Sequence, residues 1–234
     1  MSNQRSGGRR FLVDFGAGLC LCLLVAGIAG HPAGAADDAV PAVHRARHAD
    51  FGSESASPDV RQVANWVVDS GDNPATPFVI VDKKDAKVFV FDVHGRLSGA
   101  APALLGLAHG DDSVPGIGSR AMSSIRPDER TTPAGRFIAA LGRDLHGGDI
   151  LWVDYDAGIA LHRVVTANPK EQRAQRLATP TPLDNRISYG CINVPANFFD
   201  RVVRPAFTGT SGVVYVLPET RPASKVFGSY EVAD

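Results

Sequence analysis

The sequence predicts a mainly β domain, a mixed β-sandwich with a few short helices. Two observations carry this. Apolar runs such as FVIVD (78–82), KVFVFD (87–92) and GVVYVLPE (212–219) are short and rich in β-branched and aromatic residues, with turn-forming residues between them. No long amphipathic helix separates consecutive strands, so the pattern is one of hairpins and meanders rather than β-α-β units.

Before the strands lie segments of a different character. MSNQRSGGRR carries Arg5, Arg9 and Arg10, an apolar stretch follows, and Ala33-Gly34-Ala35 precedes Ala36. A basic start, an apolar stretch and a small-residue cleavage site describe a signal peptide over 1–35. The alternative is an uncleaved anchor, but the cleanest apolar run, Phe15 to Gly30, is short for a bilayer. The paired arginines raise twin-arginine export, while Cys20 and Cys22 each follow a leucine, which does not suit lipoprotein processing. The expected location is exported, periplasm or cell envelope, with no membrane association after cleavage.

Residues 36–76 form a leader with a short helical segment. Residues 36–56 are rich in Ala, Asp, Ser and His without periodicity and read as a mobile tether. From Ser57 a helix is expected, with Ser57 as cap, Pro58 at the first helical position and Asp59 in the first turn. Val60, Val63, Trp66 and Val67 recur at helical spacing until SGDNPATP ends the pattern.

The main domain is expected over 77–218, with 219–234 as a C-terminal tail. VHGRL turns around Gly95, and SGAAPALLGLA continues as a strand with bends. RFIAAL, DILWVDYD and GIALHRVV are further strands, NPKEQRAQRLATPTPLDN is helix-prone in its first half, and PANFFDRVVRPAF is a helix. The stretch from His109 to Gly135 is a long loop of Gly, Pro, Ser and Asp, either a substrate-facing lid over 109–130 or a plain connection. His109, Asp111 and Asp112 there match no calcium-loop spacing, and no phosphate-binding glycine loop occurs, so neither metal nor cofactor is expected.

The chain has 234 residues, with 24 basic and 25 acidic side chains giving a net charge of −1. That balance argues against a nucleic-acid partner. Of three cysteines only Cys191 lies beyond the signal peptide, which excludes an intramolecular disulfide framework and a cysteine-rich zinc site. A single exported cysteine is either buried and inert or kept for reactivity. A reactive thiol needs a base, and histidine is the usual one. Among seven histidines, only His162 ends an apolar strand-like run that would hold it rigidly; taken alone it reads first as a satisfied core histidine. Gly190 before Cys191 lets backbone approach a substrate and aim amide N–H groups at one oxygen, as acyl transfer requires. The pair Cys191 and His162 therefore predicts a Cys/His acyl-enzyme.

RISYGCINV resembles the signature of the L,D-transpeptidases, the YkuD-type peptidoglycan enzymes, through Ser188, Gly190, Cys191, Ile192 and Asn193, with His162 as the upstream histidine. RTTPAGRF is similar to that family's second element through Thr132, Pro133, Gly135 and Phe137, and the hairpin near 79–97 is similar to its opening strands. Two features depart from it: Tyr189 stands where most members have histidine, and 25 residues (163–187) separate His162 from Ser188. The resemblance implies a sandwich of the L,D-transpeptidase catalytic type acting on peptidoglycan peptide stems, with D-alanine released and the acyl group passed to an amine. It implies Cys191 as nucleophile, His162 as base, and the amides of Tyr189, Gly190 and Cys191 as oxyanion donors. Ser188 and Asn193 would brace the loop, and Arg186 and Arg163 are candidate substrate-binding residues. Hydrolysis of the same stems, or a silent wall-binding module, are the alternatives. Oligomeric state is not legible.

Overall fold

A serine hydroxyl starts the first helix where the sequence places it. In this computed structural model, which describes residues 45–233, helix α1 spans Pro58–Ser70. Ser57 Oγ accepts the Val60 N–H at 3.3 Å and donates to Asp82 at 2.6 Å, tying the cap to the sheet. Gly71 ends the helix in the left-handed region, φ 71°. The expected signal peptide and the first part of the leader, with Cys20, Cys22, His31 and His44, lie outside the described residues.

Ten strands follow: β1 (Phe78–Asp82), β2 (Lys87–Phe91), β3 (Leu97–Pro102), β4 (Leu105–Gly106), β5 (Gly135–Arg143), β6 (Asp149–Asp154), β7 (Ile159–Arg163), β8 (Arg186–Ser188), β9 (Ile192–Val194) and β10 (Ser211–Val216). Eight form one mixed sheet in the order β3-β2-β1-β10-β5-β6-β7-β9, and β4 pairs with β8 separately. The protein is mostly β, with a large mixed sheet and few short helices, as expected. The meanders β1-β2-β3 and β5-β6-β7 are the expected hairpins. β1–β10, β7–β9 and β4–β8 are parallel contacts between strands distant in sequence.

β1 is buried at all five positions because both faces of the sheet are covered there, so it reads as a continuous apolar run. Phe78, Ile80, Phe89 and Phe91 face α1 through Val63, Trp66 and Val67. Val79, Val81, Val88 and Val90 face the other way, into a core shared with Leu151, Leu161, Ile192 and Phe199. That core draws on both ends of the sheet because the sheet folds over itself. Leu104 N–H donates to Asn193 O at 2.8 Å and Asn193 N–H returns to Leu104 O at 2.9 Å, so edge strand β9 meets the chain just beyond the opposite edge strand, β3. This bridge fixes the strand that follows Cys191.

The flanking segments are more firmly attached than the sequence suggested. Phe51, expected in a mobile tether, is buried and packs edge-on against Phe89 and Phe91, while Asp50 bridges to Arg96. In the expected tail, helix α5 (Ala223–Phe227) stacks Phe227 on Trp66. His44–Asp234 is one compact unit, wider than 77–218. The 163–187 stretch contains a 3₁₀ turn (Pro169–Glu171) and helix α2 (Arg173–Ala178). The expected helix after β9 runs Ala196–Phe198 as α3, Phe199–Val203 as a π-helical stretch and Arg204–Phe207 as α4. No helix among the described residues is long and apolar enough to cross a membrane.

Candidate active site

The parallel pairing of β7 and β9 sets His162 opposite Asn193, two residues beyond Cys191. Cys191 thus lies at the start of β9, beside the strand that carries His162, and both side chains line one cleft of about 360 Å³. His162 Nδ1 lies 2.7 Å from the Arg163 carbonyl. A carbonyl only accepts, so Nδ1 carries the proton and Nε2 is left as the basic nitrogen. Burial pushes the His162 pKa down, with the Arg163 carbonyl opposing and nearby Arg173 adding to the fall. Burial pushes the Cys191 thiol up, against smaller opposing effects of the Ala160 N–H and Arg173. Both shifts favour the neutral forms of thiol and imidazole. The thiol points to Gly158 O at 3.7 Å.

The turn before Cys191 is held on every side. Gly190 has φ 128°, and a Cβ there would lie 2.6 Å from Ile159 Cδ1 and 2.8 Å from Thr131 O, so only glycine fits. Ser188 Oγ accepts the Gly190 N–H at 3.0 Å and donates to Cys191 O at 2.6 Å. Asn193 Nδ2 donates to the same Cys191 carbonyl at 3.1 Å. Ser188 and Asn193, both buried, thus bond within the cysteine turn. Gly190 is a correction among the expected oxyanion donors: its N–H is already taken by Ser188, leaving the amides of Tyr189 and Cys191 as candidates. The Tyr189 ring stacks under the Arg130 guanidinium, 3.8 Å from its centroid, so the residue in place of histidine is held by a cation–π contact.

Arg186 and Arg163 are both held in ion pairs. Arg186, its side chain 8% exposed, pairs with Glu219 at 2.5 Å and donates to Lys83 O at 2.8 Å. Arg163 pairs with Asp200 at 2.5 Å, donates to Asp149 O and lies over the Phe199 ring. Neither lines the cleft. The opposite charges that hold them, Glu219 and Asp200, stand 33 and 37 residues away, a distance at which sequence reading sees no pairing.

Three further groups were not read as site residues. Thr132, fully buried, donates to Gly190 O at 2.8 Å and accepts the Gly106 N–H at 2.9 Å, so the second motif clamps the cysteine turn. Arg173, from the 163–187 segment, lines the cleft, donating to Asn193 Oδ1 at 2.9 Å and Glu171 at 2.5 Å. Its signal was a cation in a helix-prone stretch close before the cysteine motif. Lys83, 1% exposed, lies beneath the loops. Its ammonium donates to Gly110 O (2.5 Å), Asp111 (2.8 Å) and Thr132 O (3.1 Å), with Glu219 at 3.6 Å. Asp111 also accepts from Thr220 and from the backbone N–H groups of Glu219 and Thr220, and these donors hold its carboxyl far below the usual range despite burial. Asp111 is therefore a structural anchor, with His109 at the rim against Glu219. The loop from His109 to Arg130 carries three 3₁₀ turns, and its Ile117, Met122 and Ile125 wall a second hollow of about 120 Å³ that also reaches Cys191.

No family model matches the chain and no curated protein matches it in sequence. Solved structures do match. The helical cell shape determining protein Pgp2 from Campylobacter jejuni is 16% identical with a TM-score of 0.40, over 63% of this chain and 49% of that one. An L,D-transpeptidase from Xylanimonas cellulosilytica is 16% identical with a TM-score of 0.38, over 60% of each chain. The LD transpeptidase LdtMt1 in complex with imipenem is 15% identical with a TM-score of 0.35, over 61% of this chain and 59% of that one. The match thus spans about half the length of Pgp2 and three fifths of the other two. Similarity at this level does not bear on what this chain does.

Proposed function

We propose that the protein is an exported cysteine acyl-transferase of the L,D-transpeptidase type, acting on peptidoglycan peptide stems. The observation that carries this reading is Cys191, just before β9, and His162, on the neighbouring parallel strand β7, lining one cleft, with the imidazole Nδ1–H committed to the Arg163 carbonyl. The motif resemblance through Ser188, Gly190, Cys191 and Asn193 supplies the substrate class. Two hollows that share Cys191 in their walls suit a transfer between two substrates better than hydrolysis.

The chemistry follows from the resting protonation. His162 Nε2 takes the thiol proton as sulfur attacks the donor carbonyl. The oxyanion is met by the amides of Tyr189 and Cys191. The carbon–nitrogen bond to the terminal D-alanine breaks, His162 returns the proton to that nitrogen, and a thioester remains. An acceptor amine then attacks, gives its proton to His162 and expels the thiolate. Ser188, Asn193 and Thr132 keep the turn rigid, so little reorganisation is needed.

The experiment is intact mass of residues 36–234 after incubation with a carbapenem, beside Cys191→Ala and His162→Ala. One adduct on the wild type, lost in Cys191→Ala and slowed in His162→Ala, is the expected result. A thiol that reacts only after unfolding would overturn the assignment and favour a wall-binding module.

A further inference from the structure

We propose that Arg173 anchors a carboxylate that the substrate carries beside its reacting carbonyl. This rests on the acyl-transfer reading of Cys191 and adds a binding group to it. Arg173 is the only guanidinium or ammonium among the residues that line the Cys191–His162 cleft. Two of its nitrogens are committed: Nε to Glu171 and Nη1 to Asn193. Nη2 makes no hydrogen bond with any described residue, so an edge of the planar fork remains for a ligand. Guanidinium matches carboxylate geometry with paired N–H donors.

The mounting is rigid. The Asn193 side chain that accepts from Arg173 also donates to the Cys191 carbonyl, so the cation is tied to the reacting residue through one intermediary. Glu171 fixes the guanidinium plane from the other side, and the Arg173 side chain is only 13% exposed. A largely dehydrated cation loses less to solvent screening than a surface one. Glu171 also faces the cleft and competes for the same guanidinium. Helix α2 begins at Arg173, so the segment that lengthens the interval between histidine and cysteine also delivers this cation.

The test uses two alkylating probes on the folded full-length protein: iodoacetate, with a carboxylate next to the carbon that sulfur attacks, and uncharged iodoacetamide. The ratio of their rates on Cys191 cancels intrinsic thiol reactivity. The expected result is an iodoacetate-to-iodoacetamide ratio that falls about tenfold in Arg173→Met, as loss of a charge-assisted hydrogen bond requires. Arg173→Lys should retain part of it, and Glu171→Gln should raise it by freeing the guanidinium. An unchanged ratio in Arg173→Met, with iodoacetamide still reacting, overturns the anchor while leaving the nucleophile in place. Resistance to both probes in the wild type until unfolding overturns the acyl-transfer reading itself.

Discussion

Replacing Thr132 by valine tests how the cysteine turn is held. The substitution keeps the side-chain shape and removes one hydroxyl. That hydroxyl donates to Gly190 O at 2.8 Å and accepts from Gly106 N–H at 2.9 Å, at a fully buried position. Both partners would be left unpaired away from water. Each such orphaned group costs about 1–3 kcal/mol, so Thr132→Val should lose on the order of 2–6 kcal/mol. With a urea m-value of about 2 kcal/mol/M, the unfolding midpoint should drop by roughly 1–3 M. Thr132→Ser is the control. It keeps both hydrogen bonds and loses one buried methyl, worth about 0.8 kcal/mol, so its midpoint should move by less than ~0.5 M. Urea melts followed by tryptophan fluorescence would measure both. Equal midpoints for the two variants would refute the clamp, because the methyl rather than the hydroxyl would then matter.

Acylation of Cys191 should fall only as pH drops through the His162 pKa, which burial sets below the usual imidazole range. In His162→Ala that limb should vanish, and reaction should rise only at alkaline pH, above the ordinary thiol range; a stopped-flow pH profile distinguishes these. Stability has the same sign. The unfolded imidazole binds a proton near pH 6.5 while the folded one resists it, so stability should fall as pH drops from 6.5 through the folded value, and His162→Ala should flatten that slope in pH-dependent thermal melts. Asp111→Ala removes the closest charge partner of the buried Lys83 ammonium and should cost about 3–5 kcal/mol, read as a lower melting temperature. A loss below about 1 kcal/mol would mean the remaining carbonyls suffice to hold Lys83.

Much of the secondary structure was legible because it is local. β-branched runs place the strands, and Ser57-Pro58-Asp59 places the helix start within a residue. What was not legible depends on pairing across distance. Nothing in FVIVD announces that its parallel neighbour is SGVVYV, more than 130 residues later. Phe51 was lost in polar surroundings, although one aromatic ring suffices to seat a segment on a sheet. At the site, a thiol and an imidazole could be singled out as candidates because their chemistry restricts the choice to few residues. The arginines could not. Arg186, Arg163 and Arg173 look alike in sequence, and only the positions of Glu219, Asp200 and Asn193 decide which of them faces the cleft.

The placement of β10 sets an order of events for the growing chain. The strand at 211–216 lies between β1 and β5, in the middle of the eight-stranded sheet, yet it follows every other described strand along the chain. Thr220 then donates to the carboxylate that neutralises Lys83 beneath the loops. A ribosome-bound chain ending near residue 200 holds Cys191, His162 and the Leu104–Asn193 bridge but lacks the strand that pairs with both β1 and β5. Because loop closure must precede such long-range pairing, β1 and β5 are joined through the middle of the sheet only once residues 211–216 are available.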